Sequence, residues 1–455
     1  KFKVIGYLDD NANRWGKQLQ DIQIHSPKAA LSEEWVKKHN IDQLVIAIQT
    51  LSPSRKAEIT EAAIALGIEV KVVPPYRKWV DGSITTNQLR KIKIEDLLQR
   101  NKIELGNTNI LGAVEGKSIL VTGAAGSIGS EIARQLSYYN IDQLILIDHA
   151  ESPLYDIEQE LIEKHKSRKT VKPICEVANV KDRYRMNVIF DTYKPQMVFH
   201  AAAYKHVPII EKAPYEGIFV NVFGTRIAAD LSMEYGVEKF VMVSTDKAVN
   251  PTNVMGATKR VAELYTQSLN EFGKTKFIAT RFGNVLGSNG SVVPLFRKQI
   301  EAGGPLTVTH EEITRYFMTI PEACNLVLEA GAMGKGGEVF VFDMGEPVKI
   351  MDMAEKMIRL SGLVLGKDIE IKVTGLRPGE KLYEELLASS ENTLPTHHPK
   401  ILRAKVNTFS HKTIKEQLNL LTEIMIDGDV VGMVRKVKTI VPEYISQNSE
   451  FEALD

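Results

Sequence analysis

Ser118-Ile119-Leu120-Val121-Thr122-Gly123-Ala124-Ala125-Gly126-Ser127-Ile128-Gly129 is the stretch that decides the fold. An apolar run leads into glycines spaced Gly-x-x-Gly-x-x-Gly, and helical spacing follows. Strand, glycine-rich turn and helix in that order make a dinucleotide-binding loop. Gly123 permits the tight turn, Gly126 lets the backbone approach a pyrophosphate, and Gly129 allows the helix to pack closely on the strand. Thr122, Ser127 and Ile128 complete the loop. The helix N-terminus faces the phosphates with free N–H groups.

Asp148 lies about 20 residues further on, the usual spacing for the acidic partner of such a loop, and ends the apolar strand Leu144-Ile145-Leu146-Ile147. A carboxylate there accepts hydrogen bonds from a ribose 2′-hydroxyl and repels a 2′-phosphate. NAD is therefore expected over NADP, with His149 softening the discrimination. Asn179 and Val180 end the next strand, where adenine would lie. Ala201, Ala202 and Ala203 end the fourth; their small size suits either a dinucleotide passing close to backbone or simple core packing.

Outward from this loop, strands are expected at 118–122, 143–148, 171–177, 196–200, 239–245 and 276–281. Helices are expected at 127–138, 153–165, 181–192, 215–235 and 256–272, the second opened by a capping Ser152 and Pro153. The alternation predicts an α/β fold with a doubly wound parallel sheet of Rossmann type. Residues 117–390 form its domain, with a dinucleotide-binding core at 117–285 and a substrate lobe mainly at 286–390. Residues 391–455 read as a mainly helical extension. Residues 1–75 alternate strand and helix as a smaller Rossmann-like α/β domain of buried parallel strands, without a glycine-rich loop and with an expected structural or regulatory role. Residues 76–116 read as a linker with a short helix near 94–98.

Composition narrows the function. Lys+Arg and Asp+Glu are both 57 in 455 residues, so no global field favours nucleic acid. Two distant cysteines suggest no disulfide framework. The His397-His398 pair lacks further ligands, and no metal is expected. No apolar run reaches the roughly 18 residues of a membrane span. The chain opens at Lys1, inside a strand-like run, which reads as a fragment of a longer protein.

The chemistry is expected at Ser244-Thr245-Asp246-Lys247 and Met255-Gly256-Ala257-Thr258-Lys259. The first group follows the strand Phe240-Val241-Met242-Val243, at the sheet edge where ligands of this fold bind. In the second, Lys259 stands one helical turn from Met255 and shares its face. Methionine cannot ionise, so proton traffic must run elsewhere, or the fold serves binding alone.

The sequence resembles the extended short-chain dehydrogenase/reductases, and within them the large bacterial nucleotide-sugar dehydratases of polysaccharide and protein-glycan synthesis. The resemblance is carried by TGAAGSIGSE at 122–131, HAAAYKHVP at 200–208, NVFGT at 221–225, STDKAVNPTNVMGATKR at 244–260, RFGNVLGSNGSVVPLF at 281–296, TRYFM at 314–318 and LRPGEKLYEEL at 376–386. It implies conversion of UDP-N-acetylglucosamine to a 4-keto-6-deoxy sugar with retention at carbon 5. Hydride leaves carbon 4 for NAD, water is lost across carbons 5 and 6, and the hydride returns to carbon 6. The family pattern has a tyrosine at the Met255 position in many members, while the long members carry methionine. Asp246 matches the acid that protonates the departing hydroxyl, and Lys247 the base at carbon 5. Those roles need a protonated Asp and a neutral Lys, which desolvation favours and their mutual attraction opposes. Thr245 would orient the 4-hydroxyl, and Lys259 would hold the nicotinamide ribose. Asn221 joins the cofactor set. Arg315 and Arg377 match arginines around the substrate pyrophosphate, and Glu380 would hold the uridine ribose or orient an arginine. Asn284 and Ser288 would line the nucleotide, and Lys205 the sugar. His206 suits either a sugar contact or a structural hydrogen bond. The resemblance further implies membrane helices upstream of Lys1, placement at the cytoplasmic face of the inner membrane, and a homo-oligomer paired through helices such as 215–235 and 256–272. A 4-epimerase and a NAD-binding regulatory or scaffold protein are the competing readings.

Overall fold

A computed structural model describes residues 3–48, 50–73, 90–91, 108–164, 172–385, 393–406 and 409–455. The short helix expected at 94–98 and most of the linker lie outside them. The chain divides into two compact units. The first contains Lys1–Lys102, Leu295–Val308 and Ile350–Val373; the second contains Ile103–Pro294, Thr309–Lys349 and Thr374–Asp455.

Among the described residues the first unit holds three small sheets where one set of buried parallel strands was expected. Gln43–Ile46 and Glu69–Val72 pair in parallel, with Arg90–Lys91 antiparallel on the edge. Tyr7–Leu8 and Gln18–Leu19 flank Ile22–His25. Strands this short leave most of their side chains half-exposed. Leu306–Val308 and Ile371–Val373 form a further parallel pair in this unit. Ser32 caps its helix Glu33–His39, accepting from the Trp35 N–H.

The second unit is built on the expected sheet. In chain order it contains β1 (Ser118–Thr122), α1 (Ser127–Leu136), β2 (Gln143–Asp148), α2 (Glu151–Lys164), β3 (Pro173–Val177), α3 (Arg183–Tyr193) and β4 (Met197–His200). It continues through α4 (Thr225–Glu234), β5 (Lys239–Val243), α5 (Val254–Ser268), β6 (Lys276–Arg281), α6 (Ile320–Met333) and β7 (Val339–Phe342). Seven parallel strands run in the order 7-6-5-4-1-2-3. The order reverses between β1 and β4, which opens the crevice beside the glycine-rich loop. Strands β1, β4 and β7 are buried along their whole length, as a sheet covered on both faces requires.

Three local expectations change. Helix α2 starts at Glu151, so Ser152 is not its cap; the Ser152 hydroxyl donates to the Glu151 carboxylate. The helix expected at 215–235 is broken into Pro214–Ile218, a turn of π-helix at Phe219–Gly224, and α4. The C-terminal extension begins with two strands, β8 (Thr393–Pro395) and β9 (Ile401–Ala404). β9 pairs antiparallel with β7 and β8 antiparallel with β9, extending the main sheet, because β7 would otherwise be an exposed edge. The helical remainder is α7 (His411–Ile426) and α8 (Val430–Ile440).

Ile414, Leu418, Leu421, Met433, Val434 and Val437 from that pair enter the same core as Val254, Val261 and Leu264 of α5. All residues of α5 are buried. A helix expected to pair between subunits is thus already covered by its own chain. No helix of the described residues is long and apolar enough to cross a membrane.

Candidate active site

The glycine-rich loop has the geometry its spacing demands. Gly123 has φ +68°, and a Cβ there would lie 2.6 Å from the Ala202 backbone nitrogen. A Cβ on Gly129 would stand 2.1 Å from the Gly123 carbonyl oxygen, so α1 can seat against the loop only with glycine. Gly126 caps α1 with no side-chain hydrogen bond, leaving the first-turn N–H groups without a side-chain acceptor. Such a helix start suits an anion. Ser127 accepts from the Asn289 N–H at 3.2 Å, which ties the 287–291 loop to this start. A groove lined by Ala125, Ser127, Pro153 and Asn289 runs beside it.

Asp148 is buried and fastens the loop to β2. Its two oxygens accept from the N–H groups of Ala125 and Ala150, each at 3.0 Å. Carboxylate oxygens have further lone pairs to offer a ribose. His149 is exposed, with Nδ1 3.4 Å from Asp148. Asn179 accepts from the Lys181 N–H at 3.1 Å, whereas Val180 packs in the core against Gly224. Ala201, Ala202 and Ala203 remain partly accessible beyond β4.

Two of the predicted cofactor residues serve the scaffold. The Thr122 hydroxyl lies 2.8 Å from His200 Nδ1, whose Nε2 meets the Thr225 hydroxyl at 2.9 Å. Burial and the nearby Lys259 hold His200 down to about 3, so the ring is neutral. Asn221, in the π-turn, donates to the Tyr204 carbonyl and the Thr258 hydroxyl and accepts from the Tyr204 N–H. A π-turn at a functional crevice re-aims one side chain, and here it clamps the loop after β4 to α5.

The 245–247 triplet follows β5. Thr245 caps a 3₁₀ turn over Asp246–Ala248; its hydroxyl donates to Asp246 at 2.9 Å, so it serves Asp246 first. Lys247 Nζ lies 3.0 Å from Asp246 Oδ1. Asp246 Oδ2 is buried with no hydrogen-bond partner among the described residues and faces Gly283, where a Cβ would come within 2.9 Å. Burial raises the Asp246 pKa, with Glu384 adding to the rise and Lys247 opposing it. Lys247 also moves up: burial lowers it, but Asp246 and Glu384 together outweigh burial. The first shift suits an acid. The second is opposite to the neutral lysine that desolvation was expected to yield, because two carboxylates surround it.

Met255 is 3% exposed on α5 and packs in the apolar core. Lys259 is buried, and burial lowers it to about 8, with Glu263 opposing. Gly256, between them, is required by close approach, since a Cβ would stand 2.1 Å from the Lys247 carbonyl oxygen.

The remaining predicted residues come from four segments. Lys205 Nζ donates to Ser288 at 3.4 Å, and burial of the ammonium together with the charge of Lys247 lowers its pKa. His206 is exposed and abuts Gly290; burial of its ring, then Lys205 and Arg377, lower its pKa. Asn284 Nδ2 is buried without a hydrogen-bond partner among the described residues. Arg315 donates to the carbonyls of Thr314, Leu382 and Lys381 and meets Glu380 at 3.3 Å, so it braces the 380–384 segment. Arg377 is exposed and paired to Glu380 at 3.2 Å.

Sequence reasoning passed over two acidic residues. Glu263 is fully buried, accepting from the Ser244 hydroxyl at 2.5 Å and pairing with Arg281 at 2.7 Å and Arg260 at 3.2 Å. It anchors the residue before the triplet. Glu384, inside the quoted LYEEL run, pairs with Lys247 at 3.1 Å. Glu384 has no local signal, because Lys247 is distant in sequence; Glu263 shows only its i,i+3 spacing to Arg260, while Ser244 and Arg281 lie on other elements.

A family profile described as "Polysaccharide biosynthesis protein" matches residues 119–406. The capsular polysaccharide biosynthesis protein CapD of Staphylococcus aureus is 50% identical over 396 residues, covering 87% of this chain and 65% of CapD. The chain therefore spans slightly less than two thirds of that relative. An inverting UDP-N-acetylglucosamine 4,6-dehydratase of Campylobacter jejuni is 34% identical over 284 residues, 61% of this chain and 80% of the relative. The X-ray structure of Pen from Bacillus thuringiensis matches with a TM-score of 0.58 at 30% identity, covering 67% of this chain and 98% of Pen. With its glycine-rich loop, parallel sheet and matched span, this chain belongs to the polysaccharide biosynthesis protein family, on the extended short-chain dehydrogenase/reductase fold.

Proposed function

We propose that the chain is the catalytic part of a NAD-dependent lyase. It would convert UDP-N-acetylglucosamine to UDP-2-acetamido-2,6-dideoxy-xylo-hexos-4-ulose, with retention at carbon 5. The observation that carries the reading is the Asp246–Lys247 pair at the carboxyl end of β5, with no ionisable side chain at position 255. An ordinary oxidoreductase of this fold needs one proton-carrying group near the hydroxyl. A dehydratase needs an acid and a base together, and this pair supplies both.

The residues present fit a dinucleotide. Gly123 and Gly129 exclude side chains from the loop, Gly126 leaves the start of α1 open to an anion, and Asp148 favours a free 2′-hydroxyl. When bound, NAD supplies a hydride acceptor and donor. Lys259, buried and lowered to about 8, is suited to hold a ribose hydroxyl. Asp246, raised by burial, is suited to donate a proton to a leaving hydroxyl, and its unpartnered Oδ2 marks the oxygen free to do so. Lys247 takes the carbon 5 proton once it has lost its own to Asp246, 3.0 Å away. Lys205 and Arg377 supply positive charge for the diphosphate.

The test is incubation with NAD and UDP-N-acetylglucosamine in deuterated water, with NMR of the product. A 4-keto-6-deoxy sugar of unchanged carbon 5 configuration is the expected outcome. UDP-N-acetylgalactosamine would instead identify an epimerase, and absence of turnover a binding protein.

A further inference from the structure

Lys247 lies between two carboxylates on different segments. Asp246 Oδ1 is 3.0 Å from its Nζ and Glu384 Oε1 is 3.1 Å away. Glu384 is buried and also lies 3.5 Å from Arg315 Nε, while its Oε2 is buried with no hydrogen-bond partner among the described residues. The other charged groups acting on the cluster are Arg315 and Lys205 beside Lys247, and Lys381 beside Glu384.

The position of Glu384 does not depend on its own ion pair. The Lys381 ammonium donates to the Val249 carbonyl at 3.1 Å, Asn253 Nδ2 donates to the Gly379 carbonyl at 2.9 Å, and Arg315 holds the carbonyls of Lys381 and Leu382. The segment is thus bolted to the loop that follows the triplet, and Glu384 is presented to Lys247 by the backbone.

We infer that Glu384 is a positioning residue, the standing counter-ion that keeps Lys247 in place through the changes of protonation at Asp246. The inference rests on the dehydration reading. In that step the carbon 5–hydrogen bond breaks and its proton goes to the Lys247 amine. The carbon 6–oxygen bond breaks, its oxygen takes the Asp246 proton and leaves as water, and a carbon–carbon double bond forms. Asp246 ends as an anion and Lys247 as a cation; as hydride returns to carbon 6, Lys247 gives its proton back to carbon 5, and the proton released by the 4-hydroxyl on oxidation goes to Asp246, which resets the pair. When Asp246 holds that proton it is a weak anchor for a flexible lysine, whereas Glu384 with Arg315 behind it remains ionised throughout. Burial raises Glu384, but Lys247 and Arg315 outweigh it and hold the carboxyl below its ordinary value.

Glu384→Gln tests this. The negative charge of Glu384 raises the pKa of both Asp246 and Lys247, so its loss should move both limbs of the pH–kcat profile to lower pH. Turnover at the wild-type optimum should fall roughly 10²-fold from misplacement of the amine. A readout independent of turnover is competitive acylation of Lys247, followed by peptide mass spectrometry across pH. Lys247 should acylate at lower pH in E384Q than in wild type, and Glu384→Asp should lie between. Unchanged acylation and unchanged limbs in a folded E384Q would overturn the inference. Should E384Q fail to fold, the acylation profile of E384D decides. If wild type yields no dehydrated product, the functional reading fails, while the acylation comparison still decides the role of Glu384.

Discussion

Two lysines twelve residues apart in sequence, Lys259 buried and Lys247 partly buried, have been pushed in opposite directions. Lys259 on α5 has one opposing carboxylate, Glu263, which is already engaged by Arg281 and Arg260; burial wins and the amine drops to about 8. Lys247, after β5, faces Asp246 and Glu384 at hydrogen-bonding distance; the carboxylates win and it rises. The difference teaches that desolvation sets a direction only where counter-charge is scarce. One site offers a lysine that is easily neutralised and suits a ribose hydroxyl. The other holds a cation whose proton is shared with a neighbouring acid.

The sharpest way to break this contrast is to remove the cation. Lys247→Met should lower turnover by about 10²–10⁴, read from product formation. It also leaves Asp246 without its nearby cation. A carboxyl raised in the folded state contributes stability that is present below its unfolded pKa near 4 and is lost as pH rises. The urea midpoint of K247M should therefore fall further below that of wild type at pH 8 than at pH 5.

Next in size is the anchor of the contrasting site. Glu263→Gln leaves Arg281, 1% exposed, without its carboxylate, and should cost about 3–5 kcal/mol in urea unfolding. Lys259 itself should give a stability slope of the opposite sign. Its folded pKa is lowered, so between about pH 8 and its unfolded value the unfolded chain binds more protons, and stability should rise with pH. Over that window the gain is roughly 3 kcal/mol. Lys259→Met should abolish that rise relative to wild type and lose turnover. The smallest effect is expected from Gly256→Ala. The added Cβ meets the Lys247 carbonyl at 2.1 Å, so α5 and the triplet must part, at a cost of about 1–3 kcal/mol and with reduced turnover.

The glycine-rich loop was legible because its reasons are local. Gly123 is required by its left-handed φ and Gly129 by its contact with the Gly123 carbonyl, both within one strand–turn–helix unit, so spacing alone reveals them; the approach of Gly123 to the Ala202 backbone beyond β4 appears only in the fold. The triplet was legible as residues but not as an electrostatic state. Desolvation could be anticipated from a closed pocket, whereas the second carboxylate comes from 137 positions downstream of Lys247 (384 − 247). Met255 was visible as a departure from a tyrosine pattern, and only packing shows that it fills the core. The helical reading of 391–455 missed β8 and β9, because three- and four-residue strands carry too little periodicity to register until an edge is there to pair with.

The sequence by itself determined the strand–helix alternation, the dinucleotide loop, the acidic end of β2 and the adjacency of Asp246 and Lys247 after β5. These follow from backbone sterics and side-chain chemistry acting over a few positions. Only the tertiary structure decided which charges surround each lysine, that Asn221 and Thr122 brace the scaffold, and that the chain's own C-terminal helices cover α5. Electrostatic energy in a buried site depends on distances of 3 to 4 Å between groups remote in sequence, and those distances exist only once the chain has folded.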